Sequence, residues 1–182
     1  MKLTRFLPSL VATAIASGAL AQTTATGVIT LLSTNGTTSN YDIDLDNIGS
    51  TGIQTFWFAW VPGLNFMPDM PTGISQPTGW TETITGNSSG YAIQWKTSGG
   101  LASGTSLDGF QFTSIDSLTT LEENSQGHPI LTSFVYSGQP LNGTSDQFVV
   151  TPAPEPGSWI ALAGLAIVGA AVRRRRFADA RR

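Results

Sequence analysis

Between residues 22 and 151 apolar side chains recur at every second position, and these short runs are separated by clusters of Gly, Asn, Ser and Pro. A period of two belongs to a β-strand with one buried face, because successive side chains point to opposite sides of the sheet. Tyr91, Ile93 and Trp95 fall on one face while Ala92, Gln94 and Lys96 fall on the other, and Phe110 and Phe112 alternate in the same way. Strands are expected over residues 26–32, 41–48, 53–61, 81–85, 91–97, 109–115, 130–137 and 147–151.

The breaks between these runs carry turn chemistry. Asn35-Gly36, Gly49-Ser50, Asn87-Ser88-Ser89-Gly90, Ser98-Gly99-Gly100 and Asn142-Gly143 supply residues that tolerate the positive φ a hairpin needs. A length of 182 residues suits one domain with appendages. With no Cys there is no disulfide framework, thiol nucleophile or cysteine-ligated zinc, and one His leaves no polyhistidine metal site. The pattern predicts an all-β, antiparallel β-sandwich of immunoglobulin-like topology, with residues 63–79 as one long proline-containing loop. No repeat of fixed period is present, which weighs against a solenoid.

The formal net charge of −3 hides three blocks. Lys2 and Arg5 open the chain, and Arg173, Arg174, Arg175, Arg176, Arg181 and Arg182 close it against Glu155 and Asp179. Between Gln22 and Pro154 the only Lys or Arg is Lys96, set against ten acidic residues. Such a segment has nothing with which to displace counterions from a polyanion, so no nucleic-acid partner is expected.

The two ends read as addresses. Residues 1–21 combine a basic start, an apolar stretch and small residues at Ala19 and Ala21 ahead of Gln22, the pattern of a secretory signal helix handled by the translocon and cut by signal peptidase. Residues 152–158 form a Pro-rich linker, 159–172 an apolar run, and 173–182 an Arg-rich tail. From Gly157 to Val172 a helix would rise roughly 24 Å at about 1.5 Å per residue, somewhat under the ~30 Å hydrocarbon core. Snorkelling arginines make up the difference. One C-terminal transmembrane helix in the inner membrane is expected, with Arg173 to Arg176 as a cytoplasmic stop and the ectodomain, residues 22–151, outside.

Pro154-Glu155-Pro156, the following Ser158, the apolar run and the Arg cluster together resemble a PEP-CTERM sorting signal. Similar tails are also described as a C-terminal domain of ice-binding proteins. The resemblance implies a bacterial exported protein, processed near Pro154, Glu155 and Pro156 by an exosortase, a membrane-embedded cysteine transpeptidase. It covers roughly the last 30 residues and says nothing of the domain before them.

Within the domain, Asp42, Asp44 and Asp46 alternate with Ile43 and Leu45, so a strand puts all three carboxylates on one face about 7 Å apart. Crowded carboxylates suit a hard cation such as Ca²⁺, although position six of an EF-hand reading is Asn47 and position twelve Ile53. The same residues also serve as a solvated face that charge keeps from edge pairing. In residues 53–61 an unbroken strand places Phe56, Phe58 and Trp60 on one face and Trp57 on the other. Trp57, Trp80 and Trp95 are candidates for a sugar-stacking platform, with Trp57 the best placed, and equally serve as the large side chains that a small sandwich core needs. Thr81, Thr83 and Thr85 make a single Thr rank, short of the flat array an ice-binding face requires. His128 lies near Glu122 and Glu123, yet no G-x-S-x-G elbow, P-loop or dinucleotide fingerprint accompanies it.

These features predict an exported, non-catalytic cell-surface or extracellular-matrix protein with no required cofactor. A carbohydrate-binding module for exopolysaccharide is the alternative, and a small secreted hydrolase the third.

Overall fold

The structure, a computed structural model, describes residues 20–154. In chain order the strands begin with β1 (Ala25–Asn35), β2 (Thr38–Asn47), β3 (Ile53–Phe58), β4 (Trp60–Val61) and β5 (Leu64–Asn65). They continue with β6 (Thr72–Ser75), β7 (Trp80–Asn87), β8 (Gly90–Leu101) and β9 (Ser106–Ser114). A one-turn helix, α1 (Leu118–Glu122), is capped by the Ser117 side chain and precedes the hairpin β10 (Asn124–Ser125) and β11 (His128–Pro129). Last come β12 (Thr132–Tyr136), β13 (Ser145–Val149) and β14 (Thr151–Pro152).

Two five-stranded sheets result, β14-β1-β2-β9-β6 and β13-β12-β3-β8-β7, antiparallel except where β14 runs parallel to β1. The alternation read from the sequence decides what lies between them. Ile29, Tyr41, Ile43, Leu45, Phe110 and Phe112 of the first sheet meet Phe56, Phe58, Ile93, Trp95 and Val135 of the second in one buried cluster. Phe110 sits at its centre, with ring centroids 5.4 Å from Phe56, 5.0 Å from Trp80 and 5.4 Å from Trp95, all in edge-to-face contact. Aromatic pairs favour this geometry because the positive ring edge meets the negative ring face.

The strand order departs from the variable-type immunoglobulin arrangement by one exchange. β1-β2-β9 and β13-β12-β3 reproduce the A-B-E and G-F-C neighbours, but β6 lies beside β9 and β8 beside β3, where that arrangement has D and C′. A two-residue turn at Ser88-Ser89 ties β7 to β8 in continuous register, so both stay in one sheet. The 63–79 segment is long enough to carry β6 to the other.

Four expectations need correction. The strand over 53–61 is interrupted at Ala59, whose φ of 56° lies in the left-handed region. The loop over 63–79 contains β5 and β6. The expected break at Gly99-Gly100 does not end its strand, since β8 continues to Leu101, with a register shift between Ile53 and Thr55 absorbing the extra length. The Pro-rich linker does not begin free at 152: β14 pairs with Val28 and Ile29, and the Ala153 N–H donates to the Ile29 carbonyl at 2.8 Å. Proline is tolerated there because β14 is an edge strand.

Gly90 marks the tightest backbone approach at the β7–β8 turn. Its φ is 144°, and a Cβ there would lie 2.6 Å from the Met67 carbonyl oxygen.

At the start of the domain, the Gln22 carbonyl accepts from the Ser50 and Thr51 N–H groups at 2.8 and 3.2 Å. Both core clusters are drawn from residues 25–150, so residues 22–154 enclose a complete core with both ends tied down. Among the described residues no helix is long and apolar enough to cross a membrane. The expected signal segment up to Ala19 and the expected transmembrane run 159–172 lie outside the described residues.

Candidate functional site

The outer face of the second sheet carries the grouping that the sequence pattern did not anticipate. Trp57 is flanked across the sheet by Phe134 on β12 and Gln94 on β8, so these three side chains share that outer face. The left-handed residue Ala59 turns the chain between β3 and β4 and brings Trp60 to the same side. There Trp60 stacks on Trp57 with centroids 4.3 Å apart and planes 16° from parallel. Phe134 meets Trp60 edge-on at 5.8 Å and lies 5.2 Å from Tyr136. Trp57, Trp60, Ala92 and Tyr136 form a second buried cluster, separate from the one between the sheets.

The platform of Trp57, Trp80 and Trp95 is therefore overturned. Trp95 is fully buried and Trp80 7% exposed, both between the sheets, and the Trp95 Nε1–H donates to the Ser75 carbonyl at 3.3 Å. Register is the reason: Trp95 pairs with the inward Phe56, whereas Trp57 lies one residue on and points the other way. Trp57 is itself only 7% exposed. Sequence reasoning also missed Trp60, Phe134 and Tyr136. Alternation in β12 could have paired Phe134 with Tyr136, but nothing local announces the left-handed Ala59 that moves Trp60.

Two buried polar atoms among the described residues lack a hydrogen-bond partner, Trp57 Nε1 and Thr85 Oγ1. Thr85 pairs with Ala92, a member of the outer cluster, so both orphaned atoms belong to this one face. A buried donor without an acceptor costs free energy that a water or ligand oxygen recovers.

The carboxylates on β2 sit where alternation puts them, between the inward Tyr41, Ile43 and Leu45. They do not converge. Asp42 Oδ1 accepts from the Gly109 N–H at 3.1 Å, and alternate residues on a strand are about 7 Å apart, more than the roughly 5 Å that two Ca²⁺–oxygen bonds span. Among the described residues no group of three or more His, Cys, Asp or Glu side chains could hold a metal ion. His128 lies 5.3 Å from the Phe66 ring in the β10–β11 hairpin.

Asp116 is the buried acid of the domain, 4% exposed. Its Oδ2 accepts from the Ser114 hydroxyl at 3.0 Å, and its carbonyl accepts from the Tyr41 hydroxyl at 2.8 Å. Burial pushes the Asp116 carboxyl above the ordinary aspartate value, and the charge of Asp69 adds to the rise. Desolvation likewise raises Asp42 and Asp44, with Asp46 and Asp108 adding like charge around Asp44.

A raised acid binds its proton more tightly in the folded than in the unfolded chain. Its stabilising contribution is fully present below the unfolded value of 3.8 and is lost as pH rises through the folded value. The melting temperature of residues 22–154 should therefore gain from Asp116 on acidification from pH 7 towards the unfolded value of 3.8, and Asp116→Asn should remove that gain. A pH slope unchanged by the substitution would contradict the assignment.

Among the described residues, two hollows lie at the surface. One of about 310 Å³ lies between the edge strands β6 and β7, lined by Thr72, Gly73, Ile74, Glu82, Thr83 and Ile84. The other, about 200 Å³, is lined by Gly79, Thr81, Lys96, Thr97, Ser98 and Gln139.

The C-terminal segment that leaves β14 decides the sorting question. Residues 152–176 match the PEP-CTERM protein-sorting motif. This motif implies export, a membrane-anchored sorting intermediate and processing by an exosortase. Pro154 is the last described residue, and Glu155, Pro156 and Arg173 to Arg176 lie beyond it. No curated protein matches the sequence. Among solved structures, a GH20 exo beta-N-acetylglucosaminidase from Vibrio harveyi in complex with N-acetylglucosamine matches 71% of this chain at 10% identity and a TM-score of 0.44. An inactive mutant of the same enzyme matches equally. The chain spans 18% of the length of that enzyme, and likeness of this degree carries no argument about activity.

Proposed function

We propose that the chain is the precursor of a non-catalytic cell-surface or extracellular-matrix protein, built as an immunoglobulin-like sandwich and delivered by its PEP-CTERM tail. The match at residues 152–176 carries this reading. Two features of the fold support it. Among the described residues, hydrogen bonds tie down Gln22, directly after the expected signal cleavage at Ala21, and Ala153, directly before Pro154 and Glu155. Both buried clusters thus lie between the two expected cuts. In cell fractions, the protein should be recovered from the surface or matrix beginning at Gln22 and lacking Arg173 to Arg176. Recovery solely from the inner membrane with the Arg cluster attached would overturn the reading.

A carbohydrate-binding role for the same domain is the second reading, favoured by the outer face of the second sheet. There an indole N–H and a hydroxyl stand without partners beside the half-buried Phe134 ring. The Phe134 ring, backed by the buried aromatic cluster, offers a flat apolar face that suits the C–H surface of a sugar ring.

A further inference from the structure

Lys96 stands alone in its charge and in its position. It is the sole Lys or Arg between Gln22 and Pro154, a stretch with ten acidic residues, yet none of those acids faces it across the sheet. Its cross-strand neighbours are Thr81 on β7 and Thr55 on β3. Lysine is common on edge strands, where it blocks unwanted pairing. β8 is an inner strand, between β3 and β7, so that explanation does not apply. Lys96 is half-buried, and Thr55 beside it is fully buried. A partly desolvated ammonium without a carboxylate gains from an anion that reaches it.

The neighbouring hollow has the matching chemistry. Its lining of Gly79, Thr81, Lys96, Thr97, Ser98 and Gln139 contains no acidic residue. Thr81 Oγ1, Thr97 Oγ1 and Gln139 Nε2 already donate to the carbonyls of Lys96, Gly79 and Thr97. The Lys96 ammonium and the Ser98 hydroxyl are the lining donors not turned to a backbone carbonyl. Lys96 also follows Gln94 on the outer face of β8, two residues from the position that pairs with Trp57, so the hollow adjoins the aromatic cluster. We propose that this hollow is a subsite for one anionic substituent, a carboxylate or a sulfate, carried by a surface glycan.

The inference rests on the carbohydrate-binding reading and narrows it. One cation in an otherwise acidic domain engages one charge at a time, so a sparsely acidic polymer fits and a densely charged polyanion is repelled.

The test uses residues 22–154, which enclose their own core and leave out the C-terminal arginines. A glycan trimer with a single uronate carboxylate, its methyl ester and inorganic sulfate are titrated against the native protein, Lys96→Gln and Lys96→Arg, each first checked for an unchanged melting temperature. The trimer should bind, the ester should bind about tenfold more weakly, Lys96→Gln should weaken the trimer by a similar factor, and Lys96→Arg should retain it. Equal binding of ester and acid, or no effect of Lys96→Gln, overturns the subsite while leaving glycan recognition standing. Inorganic sulfate binding as tightly as the trimer also overturns it, by showing a site for free anions. Failure of both sugars to bind removes the subsite and the carbohydrate-binding reading together.

Discussion

Phe110→Ala should lower the stability of residues 22–154 by about 3–5 kcal/mol, the range for truncating a fully buried aromatic side chain. Phe110 is fully buried and is the one ring of the first sheet that touches Phe56, Trp80 and Trp95 of the second. Removing it deletes the transfer free energy of the ring and leaves a void lined by three large, stiff side chains. A sandwich core can close such a void only by moving one sheet against the other, so relaxation is small. Phe110→Leu, which keeps most of the volume, should cost markedly less. Urea unfolding measures both, and a loss below about 1 kcal/mol for the alanine variant would show that Phe110 does not join the two sheets.

The second large effect is expected in processing. Glu155→Ala in the full chain, expressed in cells with their exosortase, should leave nearly all of the protein in the membrane with Arg173 to Arg176 attached, whereas the native chain loses them. The fold should be indifferent to this change, because both buried clusters are drawn from residues 25–150. Geometry sets a tight constraint on the enzyme that cuts. From Ala153 to Trp159, where the apolar run begins, the chain can span at most about 21 Å, so a cut in this stretch would fall close to the edge of the first sheet. Pro154 and Pro156 each restrict φ and lack an N–H donor, which disfavours helix and strand pairing at these positions. Unchanged removal of the Arg cluster, read by mass spectrometry of the C-terminus, would contradict a role for Glu155. A lower melting temperature for the variant would place its effect in folding rather than in recognition.

Much of the interior was legible because alternation is local. Tyr91, Ile93 and Trp95 were separated from Ala92, Gln94 and Lys96 by periodicity, and the pairing of Phe56 with Trp95 and of Trp57 with Gln94 preserves that division. Asp42, Asp44 and Asp46 likewise share a face, but a shared face does not make a site. Convergence on a cation needs carboxylates from different segments, and that depends on which strands are neighbours. The sugar platform failed for a related reason. Period two says that Trp57 and Trp95 occupy definite faces of their own strands, but the register between β3 and β8 decides whether those faces coincide, and they do not.

The sequence by itself determined the strand-rich class, the acidic middle with its single lysine, and the C-terminal sorting motif, because each depends on composition or on spacing within one segment. Only the tertiary structure decided the rest. The left-handed Ala59 moved Trp60 from the face of Phe56 and Phe58 onto Trp57, and long-range pairing exchanged the places of β6 and β8. It also left Lys96 on an inner strand between two threonines, beside a hollow without an acid. Side-chain direction along a strand follows from local backbone geometry, whereas strand partners are selected by the burial and hydrogen bonding of segments far apart in the chain, which no local pattern encodes.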